Sequence, residues 1–587
     1  MSVPSLPLQN TPTQFQRPAL QLLKRNPVPG SVTALRVAFW SVGILLASTQ
    51  AWIFRYQVSA DSISYLDVSD GVLPGSDWHR LINGVWSPLY PFLLGIFRRL
   101  FSLSPGHEIA ASHVLNIVIF IFAFACFEFF LAGAVRDIET GGGISAEDHW
   151  AVSLPKWAFL SIAYSLFLWA SIAEISVGSL RPDMLLSGFL YLDVGMLLRM
   201  RRVPARWTGY LVLGALLGTG YLAKSPMLPI GVAILAATLC VVADWRPALK
   251  MAASALAVMF LIGSLYFVPL SRQQGHFTLG ESYSVNYVVH VDQASPHWYL
   301  QNPGDARGSF LHPPEKIFSD PPAYAFDTAL PVTHPLRFDP LYWIDGVRPR
   351  FVWKRQIEAI MINLFSLKEP LRELRSVMGA VLVLAFLCSG RKQVMAALLS
   401  TWPIWLIGLA GCLMYIVVYV EPRYVAASLA LFCVGLILGF PIPREIGPKV
   451  ALLIVIATVP VLLYPMLRVT YIQYVHRQRF NAESQAAEAL RSAGVNPGDR
   501  VGRISPIVYD YAVERILRVK VVAQVDHERI SEFWNAPFAT QQSLLHTFAS
   551  RGVKAVIATS PRLSAENQSE WMRLGSTQYW VWRPDRQ

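Results

Sequence analysis

Asp61, Asp183, Lys224 and Arg423 each stand where an apolar run of this chain ends. Charge at membrane depth is costly, so such side chains need a partner or a task. Lys224, in Lys224-Ser225-Pro226, separates the apolar stretches 207–223 and 227–243 with almost no loop to solvate it. A fixed anionic partner is therefore expected for it. Glu421-Pro422-Arg423, just before Tyr424, poses the same problem. Carboxylates and cations gathered at one interface suit chemistry on a sugar joined to a lipid phosphate. Asp61 would take the proton of an acceptor hydroxyl as general base. Lys224 as a point charge and Arg423 as a two-pronged donor would hold the departing phosphate, with Tyr424 beside them. Glycosyl transition states resemble oxocarbenium ions, so a further carboxylate near the sugar ring would help.

The elements that must position these residues are membrane helices. Of 587 residues, 53% are hydrophobic and only 15% charged, with a mean hydropathy of +0.40. A soluble chain carries about 25% charged residues. Runs such as 114–131, 251–270 and 450–467 approach the roughly 20 apolar residues that span a bilayer core. The fold class expected is mainly α, a polytopic bundle of about 11 spans: 35–54, 111–135, 155–173, 184–198, 207–223, 227–243, 251–270, 377–388, 394–420, 424–440 and 451–467. The apolar stretch 87–103 carries Pro88, Pro91, Arg98 and Arg99 and reads as an interfacial helix within an outer loop, 55–110. With that choice Arg36, Arg136, Arg199, Arg201, Arg202, Arg206, Arg246, Lys250, Arg391, Lys392, Arg444 and Lys449 all fall inside, as positive residues do. The opposite parity would put most of them outside. The same topology gathers Asp61, Asp67, Glu174, Asp183, Lys224, Glu421, Arg423 and Tyr424 on the outer face.

The formal charge of +12 is accounted for by these inner loops, and without zinc-finger spacing or a basic-aromatic cluster it does not point to nucleic acid. The five cysteines (Cys126, Cys240, Cys388, Cys412, Cys433) lie in apolar runs without metal or redox spacing and read as small buried hydrophobes. Residues 1–34 read as a flexible cytoplasmic tail and 35–470 as the membrane domain. A second outer segment, 271–375, is rich in aromatic and amide groups: Tyr283, Asn286, Tyr287, His290, His297, Trp298, Tyr299, His312, Tyr342 and Trp343. No metal site is expected, because no histidine pair there has helical metal spacing. No cofactor is expected, and a divalent metal has no support. Residues 471–587 have the composition of a small α/β extracytoplasmic domain, with strands at 500–508, 519–525 and 554–558, helices at 481–493 and 540–551, and a turn at Gly494 and Gly498.

At its outer turns the chain resembles the C-type membrane glycosyltransferases, which include protein O-mannosyltransferases and aminoarabinose transferases of lipid A. The matching stretches are Ala60-Asp61-Ser62-Ile63-Ser64-Tyr65, Arg181-Pro182-Asp183-Met184-Leu185, Gly220-Tyr221-Leu222-Ala223-Lys224-Ser225-Pro226 and Glu421-Pro422-Arg423-Tyr424. They occur in order and on one side, through about residue 440. The resemblance implies an inverting transferase that uses a polyprenyl-phosphate sugar, with Asp61 as base, Asp183 assisting and Tyr65 matching the first outer loop. Asp67, Glu174 and Glu421 are the supporting acids. Where the group usually has an Asp-Glu pair, this chain has Asp61-Ser62. The expected partners are the lipid donor, an acceptor of unspecified kind and the bilayer. A transporter or flippase of lipid-linked glycans is the alternative, but it would need ionisable residues at mid-membrane, where chiefly Glu128 and Asp193 stand. A non-catalytic membrane assembly protein is the other.

Overall fold

The protein was analysed as a computed structural model, which describes residues 29–101, 107–139, 151–152, 154–201, 206–241, 245–294, 308–326, 330–388, 390–443, 445–507, 510–563 and 568–584. Most of the expected N-terminal tail, together with His297, Trp298 and Tyr299, lies outside these residues.

Its helices in chain order are α1 (Pro29–Ile53), α2 (Ala60–Ser69), α3 (Leu89–Leu100), α4 (Glu108–Glu139) and α5 (Lys156–Leu168), which runs on as a π-helical turn, Trp169–Ile175. Next come α6 (Asp183–Met200), α7 (Trp207–Ala223), α8 (Met227–Val241), α9 (Trp245–Gln274) and α10 (Ser282–His290). Beyond helices at Pro335–Phe338, Pro340–Ile344, Trp353–Ser366 and Lys368–Glu373 come α11 (Arg375–Leu387), α12 (Arg391–Ser400), α13 (Trp402–Ile416), α14 (Pro422–Gly439) and α15 (Gly447–Val475). All eleven apolar stretches are largely helical. Six helices among the described residues (α1, α4, α5 with its π turn, α9, α14 and α15) are long and apolar enough to cross a membrane, or seven spans if α12 and α13 count as one. The chain is a helical integral membrane protein. The others, α6, α7, α8 and α11, have 18, 17, 15 and 13 residues.

One expected span is broken, and the helix expected within 87–103 packs one face on the protein. The stretch 394–420 is two helices meeting at 75°. Pro403 lies in the first turn of α13, where its missing N–H goes unneeded, and the Thr401 hydroxyl donates to Gly435 O at 2.7 Å across the break. The stretch 87–103 does contain a helix, α3, but Arg98 is only 3% exposed. Its guanidinium pairs with Asp70 (2.7 Å) and Glu108 (2.8 Å), so one face of α3 is bound into the protein.

With lipid as solvent, helices associate through close packing rather than a hydrophobic drive, and small residues at crossings allow it. A Cβ on Gly214 of α7 would lie 2.3 Å from Ala255 O of α9. Phe120, Phe124 and Phe127 of α4 interleave with Phe167 of α5 and Tyr191 of α6, with centroids 4.5–6.0 Å apart. Among the cysteines, Cys126, Cys412 and Cys433 are buried as expected, whereas Cys240 is exposed and Cys388 half-buried. Cys240 lies near the end of α8 and Cys388 just past the end of α11, and apolarity alone does not reveal their exposure.

The C-terminal segment folds around a sheet that it does not complete alone. Its strands are β1 (Glu315–Ser319), β2 (Pro322–Ala325), β3 (Arg500–Ile504), β4 (Lys520–Val525), β5 (Ala555–Thr559), β6 (Met572–Arg573) and β7 (Tyr579–Trp582). The order is β1-β2-β4-β3-β5-β7-β6, with β3 parallel to β4 and β5 and the other pairs antiparallel. Helices α16 (Ala482–Ser492), α17 (Ala512–Leu517) and α18 (Phe538–Ser550) accompany it. Gly494 and Gly498 both have φ +88°, a backbone conformation that glycine adopts without strain. Strands β1 and β2 come from the 271–375 segment, so that segment is stitched to the C-terminal unit.

Ion pairs reinforce this seam. Arg515 of α17 is buried and meets Asp67 (3.3 Å), Asp70 (3.1 Å) and Glu108 (2.7 Å), and Arg518 meets Glu108 at 2.6 Å. Burial drives the Asp67 carboxyl up to about 6 against the pull of Arg515. Its oxygens accept from the backbone and the hydroxyl of Thr333, both at 2.9 Å.

Candidate active site

Four turns converge on one cavity of about 320 Å³. Asp61 lies in the first turn of α2, where the helix dipole favours a carboxylate. Asp183 opens α6 after Pro182. Lys224 ends α7 in an extended conformation. Arg423 sits in the first turn of α14 behind Pro422.

The side chains meet directly. Lys224 Nζ lies 2.5 Å from Asp183 Oδ1, the fixed anionic partner that its short loop demanded. Arg423 bridges the two acids: Nη2 donates to Asp61 Oδ2 at 2.9 Å and Nη1 to Asp183 Oδ2 at 3.3 Å. Its Nε pairs with Glu421, and Nη2 also donates to the Tyr424 hydroxyl at 3.0 Å. With its oxygen accepting, the Tyr424 O–H can donate in turn. Lys224 Nζ stands 4.0 Å above the Tyr424 ring. The Tyr65 ring lines the cavity and packs edge-on against Trp86 at 5.2 Å.

Two arginines outside the expected set complete the cluster. Arg337, on the short helix Pro335–Phe338, pairs with Asp61 Oδ1. Arg181 Nε lies 3.4 Å from Asp61 Oδ2. Burial by itself would raise the Asp61 carboxyl, but Arg337, Arg181 and Arg423 together hold it well below the usual carboxylate range. Three carboxylates (Asp61, Asp183, Glu421) thus face four cations (Arg181, Lys224, Arg337, Arg423), leaving one positive charge in excess. Arg181 was legible beside Pro182-Asp183. Arg337 carried no signal, because it sits in a long loop without periodicity.

The expected acids do not all meet. Glu174 hydrogen-bonds Glu373, which also accepts from Trp169 Nε1 at 2.7 Å, and it does not line the cavity. Side of the membrane was inferred for it, and side says nothing of lateral position. Asp67 is also apart, turned toward Arg515. Of the aromatic segment, Asn286 and His290 reach the cavity wall. His290 stacks on Tyr419 at 3.7 Å, and burial lowers it to about 4, so it is neutral near pH 7. Tyr342 pairs instead with His312 at 4.1 Å. Among the described residues no group of three or more His, Cys, Asp and Glu could hold a metal ion.

No family model and no curated protein matches this chain. Among solved structures it is similar to ArnT from Cupriavidus metallidurans bound to undecaprenyl phosphate, with TM-score 0.41 and 13% identity over 94% of this chain and 98% of that one. It is also similar to the oligosaccharyltransferase AglB from Archaeoglobus fulgidus in complex with an inhibitory peptide and a dolichol-phosphate, with TM-score 0.43 and 12% identity over 89% of this chain and 69% of that one. Both are C-type membrane glycosyltransferases, the group that the turn motifs resemble.

Proposed function

We propose that this protein is an integral membrane glycosyltransferase that moves a sugar from a polyprenyl-phosphate donor to an acceptor hydroxyl at the extracytoplasmic face, with inversion at the anomeric carbon. One observation carries the reading: Asp61, Asp183, Lys224, Arg423 and Tyr424, from four separate turns, line a single cavity. In the proposed reaction the acceptor oxygen attacks the anomeric carbon while its proton passes to Asp61. The bond from that carbon to the phosphate oxygen breaks, and the phosphate keeps the electron pair. Lys224 and the Tyr424 hydroxyl meet the charge that develops on the phosphate. Asp183 positions Lys224 and Arg423.

The extracytoplasmic assignment is supported by the basic ends of α6 and α7, at Arg199 and Arg206. They stand a helix length, roughly 25 Å, from Asp183 and Lys224. The test is to incubate purified protein with a panel of radiolabelled polyprenyl-phosphate sugars and membrane extract as acceptor. Sugar transfer is expected for one donor, and Asp61→Asn should lower turnover by about 10²–10⁴. Wild-type turnover in Asp61→Asn, or no transfer across the panel, would refute the proposal.

A further inference from the structure

In the structure the proposed base lines the cavity with cations on both of its oxygens. Asp61 Oδ1 accepts from Arg337, and Oδ2 accepts from Arg423 at 2.9 Å with Arg181 at 3.4 Å. Guanidiniums on both oxygens stabilise the deprotonated carboxylate and so weaken it as a base, although lone pairs remain on each oxygen. Release of one of these contacts would restore proton affinity to the oxygen it leaves.

The guanidiniums are not held alike. Arg423 is 9% exposed and also tied to Asp183, Glu421 and Tyr424. Arg337 is 23% exposed, lines the cavity and lies over the Trp86 ring at 5.3 Å. It sits on the short helix Pro335–Phe338 and combines access to an incoming anion with a grip on Asp61. Arg181, equally exposed, does not line the cavity.

Resting on the transfer reading above, we propose that Arg337 is the donor-phosphate ligand and changes partner, from Asp61 Oδ1 to a phosphate oxygen, when the lipid donor binds. The anion that brings the sugar thereby raises the basicity of Asp61, which stays low while Arg337 remains on Oδ1. Charge fits this exchange. One phosphodiester anion matches the single excess positive charge of the cluster, whereas a diphosphate would leave it negative. In the transfer itself the acceptor proton goes to the vacated Asp61 oxygen. The phosphodiester becomes a monoester with a second negative charge, which Arg337 faces as it forms.

The exchange makes Asp61 and the donor phosphate competitors for one side chain, and a binding cycle reads that competition without any turnover. The probe is farnesyl phosphate titrated into full-length detergent-solubilised protein by calorimetry, with farnesol as the phosphate-free control. Expected results are measurable binding of farnesyl phosphate but not farnesol, about tenfold tighter binding in Asp61→Asn, and about tenfold weaker binding in Arg337→Gln. In the double variant the tightening from Asp61→Asn should shrink to below about threefold. Equal tightening in both backgrounds, no tightening in Asp61→Asn, or equal binding of farnesol overturns the proposal. Should Arg337→Gln not yield monodisperse protein, Arg337→Lys keeps the charge without the fork and should show the same cycle at reduced size. A protein that shows the cycle but transfers no sugar refutes the transfer reading alone. One that transfers sugar with an additive cycle refutes only the partner exchange.

Discussion

Replacing Arg423 by methionine keeps volume and helix propensity but removes the guanidinium that joins Asp61, Asp183 and Glu421. Removing one partner of a buried ion pair costs about 3–5 kcal/mol, because the other charge remains uncompensated. Here Asp61 keeps Arg337 and Arg181, and Asp183 keeps Lys224, so the lower end, about 3 kcal/mol, applies. Arg423→Lys keeps the charge on a single nitrogen and cannot bridge both acids. It should lose about 1.5 kcal/mol, the worth of one hydrogen bond to a charged group. Adding Glu421→Gln to Arg423→Met removes one stranded carboxylate and should recover part of the loss. The assay is unfolding of the detergent-solubilised protein followed by tryptophan fluorescence, with the order wild type, Lys, double variant or Met checked at fixed pH and lipid. A methionine variant as stable as wild type, or a lysine variant less stable than methionine, would refute the bridging role.

Two further outcomes follow from groups at the seam above the site. His334 is buried against Tyr511, with centroids 3.9 Å apart, and burial lowers it to about 3 from an ordinary value near 6.5. The folded state therefore favours the neutral ring: its contribution is complete above about pH 6.5 and falls by about 1.4 kcal/mol per pH unit as the pH drops toward 3. Melting temperatures at pH 7.5 and 5.5 should diverge less in His334→Gln than in wild type, and equal divergence would exclude His334 as the cause. Arg515→Ala leaves Asp67 without a cation, while Asp70 keeps Arg98 and Glu108 keeps Arg98 and Arg518, so the cost lies at the lower end, about 3 kcal/mol. Limited proteolysis should then degrade the segment after residue 475 much faster than in wild type, while unchanged protection would show that the sheet pairing alone holds it.

The apolar stretches were legible in the sequence because a bilayer leaves a chain little choice: backbone polar groups must be satisfied within the segment, so length and apolarity alone predict helix. Lys224 was legible for a related reason, since a turn too short to solvate an ammonium requires a carboxylate nearby. Asp183, however, is 41 residues away along the chain, and only the packing of α6 against α7 makes it that carboxylate. Glu174 shared the side and the charge of the site residues but not their position, because sequence periodicity reports depth and face, not which neighbours a helix end will meet. Arg337 and strands β1 and β2 were invisible for the opposite reason. They lie in a long segment whose partners, Asp61 and β4, are some two hundred or more residues distant. Membrane class, the helical stretches and most of the charged turns are thus properties of the sequence, written in short-range solvation energy. Which acid meets which cation, and that the 271–375 segment completes the C-terminal sheet, depend on long-range pairing, and only the tertiary structure decides them.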